Sequence, residues 1–268
     1  MREREKSSQI GLWLYGLATI ATGMVDLIWG NFERAHQPIQ AFGDHIPGQS
    51  LLAYVAAACL IAGGAGVLWS RTARQAAAIL GVVYLIFAAF PLPRLYTAPH
   101  VLGVHLPIYI GVLAGVCQQL ILAAAAAIVY CESNGPNAVG ERALLKAARF
   151  VFGLSSIDFG LAHLTDVAAN SVYVPQWMPL GGHFWTVVTG ACFVLAGVAT
   201  LARVFDAAAA WLLGLMLLVF SVLVLAPSPI AAPHNQVAWG ANAYNLSAVG
   251  AAWILAAYLS RRRTRGDT

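Results

Sequence analysis

Long runs of apolar residues, broken by short polar segments, recur along the whole chain. Crossing a hydrocarbon layer about 30 Å thick takes about 20 apolar residues in a helix. Eight runs meet that length, approximately over 9–30, 51–70, 75–93, 106–130, 147–168, 184–203, 207–226 and 239–260. The pattern predicts an all-α fold, a polytopic membrane helical bundle of eight transmembrane helices. Small residues at four-residue spacing, Ala58-Ala62-Gly66 and Gly111-Gly115, predict flat faces where neighbouring backbones approach. Pro91, Pro93 and Pro99 are expected to end the third helix and shape the loop after it, with Pro107 in the first turn of the fourth.

The runs form two similar sets of four. Gly23-Met24-Val25-Asp26-Leu27 resembles Gly160-Leu161-Ala162-His163-Leu164, and Ala58-Cys59-Leu60-Ile61-Ala62-Gly63-Gly64 lines up with Ala191-Cys192-Phe193-Val194-Leu195-Ala196-Gly197. Ala98-Pro99-His100 matches Ala232-Pro233-His234, and the three offsets are 137, 133 and 134 residues. Four is an even number, so the halves enter the membrane in the same direction and are parallel repeats. The reading divides the chain into a first four-helix repeat, 1–131, a linker, 132–146, and a second repeat with a basic tail, 147–268. Turn-forming residues at Ser133-Asn134-Gly135-Pro136-Asn137 mark the boundary.

Composition agrees with lipid as the solvent. Of 268 residues, 10% are charged and 60% hydrophobic, against roughly 25% and 45–50% in soluble domains. Charge then orients the spans. Of the 15 Lys and Arg residues, Arg2, Arg4, Lys6, Arg71, Arg74, Arg142, Lys146, Arg149, Arg203, Arg261, Arg262, Arg263 and Arg265 fall on one side of the eight-span scheme, leaving only Arg34 and Arg94 on the other. Cationic loops stay in the cytoplasm, which places both termini there. Cationic loop ends beside an anionic leaflet account for the net charge of +4, and no nucleic-acid partner is expected. The opening MREREK and the long run after it read as a retained first helix. Cys59, Cys117, Cys131 and Cys192 form no C-x-x-C pair and read as small buried hydrophobes.

Candidate chemistry lies at the opposite end. All 7 histidines, His36, His45, His100, His105, His163, His183 and His234, map to the outer side, which points to an outward-facing polar site. Asp26, Asp158, His163 and Asp166 fall within or at the end of predicted spans, where an ionisable group costs at least about 2.5–3.5 kcal/mol and faces a partner or water. Asp26 and His163 hold matching positions, so the pseudo-symmetry points them at each other across the bundle. Charge pairing, proton relay to a quinol and metal ligation remain open for such a pair, although no H-x-x-x-H or H-E-x-x-H spacing supplies local ligands and no metal site is assigned. Haem is disfavoured, since His100 and His234 lie at helix entrances. Arg34 and Arg94, with His100, His183 and His234, are the candidate substrate-binding residues for an anion. Trp29, Trp177, Trp185 and Trp239 read as an interfacial belt. The apolar outer segments 31–50 and 169–183 read as lids or as a docking face for a periplasmic domain.

Phe159-Gly160-Leu161-Ala162-His163-Leu164, then Val174-Pro175, Gly190-Ala191-Cys192 leading to Gly197, and Asn245-Leu246-Ser247-Ala248-Val249-Gly250-Ala251 resemble the successive landmarks of the DoxX-like superfamily of bacterial membrane proteins. The first half carries a weaker version, with Asp26 in place of the histidine and Gly111 where the second half has Asn245. The resemblance implies a tandem duplication of the family's four-helix unit in a bacterial cytoplasmic (inner) membrane. One branch of the family resembles a membrane subunit of thiosulfate:quinone oxidoreductase, which implies a quinone-linked function with Asp158, His163 and Asp166 handling protons. No flavin, haem-attachment or iron–sulfur motif is present, so electrons would come from a periplasmic or membrane redox subunit or pass directly to quinone. Other relatives are assembly or trafficking factors, and a noncatalytic scaffold and a small-molecule transporter stay open as alternatives. Besides the lipid bilayer and a redox subunit, a second copy of the chain is an admissible partner.

Overall fold

The computed structural model describes residues 2–33, 36, 47–133 and 139–264, with side chains from Gln9 onward. Arg34, His45 and Arg265 lie outside the described residues. The described chain is helical, without strands: α1 (Arg2–Trp29), α2 (Gln49–Val67), α3 (Ala73–Ala89), α4 (Arg94–Leu102), α5 (Leu106–Glu132), α6 (Val139–Thr165), α7 (Val167–Ser171), α8 (Gly181–Ala202), α9 (Asp206–Phe220), α10 (Pro227–Ala231) and α11 (Gln236–Thr264).

Among the described residues seven segments are long and apolar enough to cross a membrane: Gln9–Trp29, Gln49–Val67, Ala73–Leu102, Leu106–Glu132, Gly181–Ala202, Asp206–Ala231 and Gln236–Thr264. The predicted fifth span corresponds to α6, which is 27 residues long but outside that set. Arg149, Asp158 and His163 dilute its apolarity.

Consecutive helices pack as neighbours, α1 on α2, α2 on α3 and α3 on α5, then α6 on α8, α8 on α9 and α9 on α11. Two further contacts close the bundle, α1 against α11 and α5 against α6. Glycine backbones set the closest crossings. A Cβ added at Gly64 would lie 2.6 Å from the Gly16 carbonyl oxygen, and one at Gly16 would lie 2.8 Å from that of Gly64. The α6–α8 crossing has the same form: a Cβ at Gly197 would lie 2.5 Å from Gly153 O, and one at Gly160 2.6 Å from Gly190 O. Backbones that approach this closely leave no room for a side chain.

The small-residue faces expected from sequence are used only in part: a Cβ at Gly66 would lie 2.6 Å from Ala76 Cβ of α3. Ala58 and Ala62 face outward, and a Cβ at Gly111 would meet nothing within 4 Å. The packed face of α2 instead carries Ala53, Ala57, Leu60, Gly63, Gly64 and Val67. Pro91 and Pro93 follow the end of α3 as expected, whereas Pro99 does not lie in a loop. The chain turns at Pro91 and Pro93 and resumes as α4 with Pro99 inside it, so the Ala98-Pro99-His100 triplet is helical. Its counterpart Ala232-Pro233-His234 lies in the connection between α10 and α11.

A π-helical turn, Ser221–Leu225, joins α9 to α10. The buried Asn245 side chain of α11 donates to Leu217 O at 2.6 Å and to Ser221 Oγ at 2.8 Å, taking up polar groups that the change of helical period leaves within the core.

Candidate functional site

Asp26 lies near the end of α1 and is 0% exposed. Its Oδ1 accepts the Glu33 backbone N–H at 2.6 Å, and Oδ2 lies 3.3 Å from Nδ1 of His36. His36 and Glu33 are also buried, at 1% and 2% exposure. The His36 ring stacks on Phe87 of α3, with centroids 4.1 Å apart and planes 15° apart, and Phe32 packs edge-on against Phe87 and Phe90. Phe32, Glu33 and His36 therefore cover the end of α1 and, with Phe87, bury its carboxylate. Asn31 anchors the chain just after α1, accepting from Gln49 Nε2 through its side chain at 2.7 Å and from Gln236 Nε2 through its backbone at 2.9 Å. Glu33 rests against Gly240 of α11, where a Cβ would come within 2.6 Å of Oε2.

Below Asp26 a polar stripe descends α1 through Thr22, Thr19 and Tyr15, all buried. Thr19 Oγ1 is 2.9 Å from the Tyr84 hydroxyl, and the Tyr15 hydroxyl donates to Leu122 O at 3.0 Å. The spacing of four, three and four residues keeps the stripe on one helix face. It was visible in the sequence as hydroxyls recurring at helical period in an apolar run.

A second polar group lies between α5 and α6, where the Cys117 thiol interacts with the Asp158 carboxylate and with Ser155. Asp158 Oδ2 is buried and accepts no hydrogen bond from the described residues. Tyr244 of α11 lies within electrostatic reach of Cys117, Glu33 and Tyr84.

The other expected site residues disperse. Asp26 is paired with His36 of its own half, and His163 does not meet it: His163 Nδ1 is engaged with Phe159 O at 2.7 Å and its ring lies against Phe193. Asp166 is exposed and caps α7, accepting from Ala169 N at 3.1 Å, so it is a turn residue and not an embedded acid. Arg94 begins α4 and is partly buried. His100 is exposed, its Nδ1 2.6 Å from Tyr96 O, and His183 and His234 are exposed. The segment after α7 exposes Val172, Tyr173 and Trp177, whereas Phe32 and His36 of the segment after α1 are buried. Among the described residues no three His, Cys, Asp or Glu side chains converge as a metal site.

Burial by itself lowers the basicity of the His36 imidazole. The hydrogen bond to Asp26 and the charges of Glu33 and Asp26 outweigh that effect and raise its pKa above 6.5. The arrangement sets a carboxylate and an imidazole side by side, both buried.

The helical fold and its seven apolar helices define a multi-pass membrane protein. Comparison with family models, curated proteins and solved structures returns no match, so the function must be read from the site itself.

Proposed function

We propose that the chain is a DoxX-like membrane subunit of a quinone-linked oxidoreductase, with its proton-handling centre at Asp26, His36 and Glu33. The observation that carries this reading is the burial of three ionisable groups together inside an apolar bundle. Ionisable residues at membrane depth are costly and mark proton or substrate paths. Reducing a quinone to a quinol takes two electrons and two protons. A periplasmic or membrane redox subunit would supply the electrons, and the Asp26–His36 pair would pass protons, with Asp158 as a second acid beside Cys117.

The tandem eight-span arrangement, with both termini in the cytoplasm of a bacterial cell and the histidines facing outward, belongs to the same reading. Recurrence of the glycine crossings supports it. Gly16 and Gly153 differ by 137 positions and Gly64 and Gly197 by 133, the same offsets that relate the matching sequence segments.

The test is gentle purification of the whole chain, followed by an optical spectrum and mass spectrometry of extracted cofactors and co-purifying subunits. Near-stoichiometric quinone, lost in Asp26→Asn and His36→Gln while the variants stay folded, is the expected result. Wild type free of both quinone and redox partner would overturn the reading. A noncatalytic scaffold is the second reading, and it is favoured by the fact that both Asp26 oxygens are already partnered. Under it the wild type carries no quinone, and the same variants change stability alone.

A further inference from the structure

The basic end of the bundle carries a charge arrangement that proton chemistry does not use. Arg149 of α6 is 8% exposed and donates to Leu201 O at 3.4 Å. It lies within electrostatic reach of Arg203, which follows α8, of Arg262 in the last turn of α11, and of Asp206 and Tyr258. The carboxylates described at this end are held by other arginines. Arg261 holds Glu132 at 2.9 Å, Arg74 holds Glu141 at 2.8 Å and Arg263 holds Asp206 at 2.6 Å. Arg262 shares the Tyr258 hydroxyl. Through Leu201 O, two residues from Arg203, and through the Arg263–Asp206 pair, beside Arg262, guanidiniums of α6, of α11 and of the segment after α8 gather at one end of the bundle, where Asp206 is already engaged.

Like charges gathered around a largely buried guanidinium repel one another unless an anion joins them. The surroundings say which kind. Phe150, Val204 and Phe205 are exposed at 56%, 55% and 73% beside the arginines, and Leu154 and Val198 continue the apolar surface toward the middle of the bundle. A cationic cluster with exposed apolar residues next to it in the chain suits an amphiphile better than a soluble anion.

We propose that Arg149, Arg203 and Arg262 bind the phosphate of an anionic phospholipid headgroup, with its acyl chains lying along the exposed faces of α6 and α8. The proposal rests on insertion in a membrane and is independent of the redox reading.

Native mass spectrometry of the full chain released from nanodiscs, prepared in parallel with phosphatidylglycerol and with phosphatidylcholine, tests it. Wild type is expected to retain the anionic lipid at least about tenfold more than the zwitterionic one, less so at high salt. The double variant Arg203→Gln/Arg262→Gln, altered at side chains outside the core, is expected to lose that preference roughly tenfold while keeping its helical circular dichroism. Arg149→Gln should do the same, and the double variant decides the matter if Arg149→Gln does not fold. Equal retention of the two lipids, or an unchanged preference in the double variant, would overturn the proposal. Displacement of the lipid by millimolar inorganic phosphate would also overturn it and reassign the arginines to a free phosphate.

Discussion

Asp26 and His36 show how a loop completes a site that a helix only begins. An aspartate inside an apolar run announces itself in sequence, because its desolvation demands a partner. The partner was not legible: it lies ten residues on, beyond the end of α1, where no periodicity of that helix points to it, and the matching sequence segments directed attention to His163. Removing one member of a buried pair leaves the other unpaired, so Asp26→Asn is expected to destabilise the bundle by about 3–5 kcal/mol, read as a lower thermal unfolding midpoint in detergent. The pH dependence has a definite sign. His36 titrates above 6.5 in the folded chain, held there by Asp26 and Glu33, with Tyr84 the other ionisable side chain close to Asp26. Its contribution to stability is complete below the unfolded value near 6.5 and disappears as pH rises through the higher folded value. The unfolding midpoint should therefore fall on going from mildly acidic to mildly alkaline buffer, and His36→Gln should flatten that fall; a midpoint with the same slope in the variant would assign the dependence to another group.

Among the elements, the glycine crossings carry the packing. Sequence spacing drew attention to Ala58-Ala62-Gly66 and Gly111-Gly115, yet the closest backbone crossing of α2 on α1 is at Gly64, and its partner Gly16 opens the small-residue stretch Gly16-Leu17-Ala18-Thr19-Ile20-Ala21-Thr22-Gly23 of α1. A run of small residues says that a close approach is possible, whereas which face meets a neighbour depends on helix rotation, and in lipid both faces of α2 are apolar. Overfilling a tight core costs about 1–3 kcal/mol or more when backbone must move. Gly64→Ala and Gly197→Ala, each placing a methyl at 2.6 and 2.5 Å from a carbonyl oxygen, are expected to lower the unfolding midpoint clearly. Ala58→Leu, on an outward face, should leave it nearly unchanged. Equal effects of the three substitutions would mean that α1 and α2 do not cross at these glycines.

For the whole molecule, the question that decides topology is whether α6 crosses the membrane. Its mean hydropathy is held down by Arg149, Asp158 and His163, but composition averages over faces that meet different surroundings. On the outward side stand Phe150, Leu154, Leu161 and Leu164, all apolar and exposed, spaced four, seven and three residues apart. Facing the bundle are Arg149, Ser155, Ser156 and Asp158, the last against Cys117 of α5. A helix of 27 residues reaches about 40 Å, enough for the hydrocarbon core with its polar groups turned inward. The segregation of thirteen basic residues from two also survives only if this helix crosses, since removing one span places Arg2 and Arg261 on opposite sides. Crossing therefore predicts that tags at the two ends report from the same side of the membrane. In a background lacking the four native cysteines, Arg142→Cys and Asp166→Cys should react with an impermeant maleimide from opposite sides of sealed vesicles. Tags on opposite sides, or both cysteines labelled from one side, would leave α6 lying along the bundle without spanning it, and the parallel duplication would fall with it.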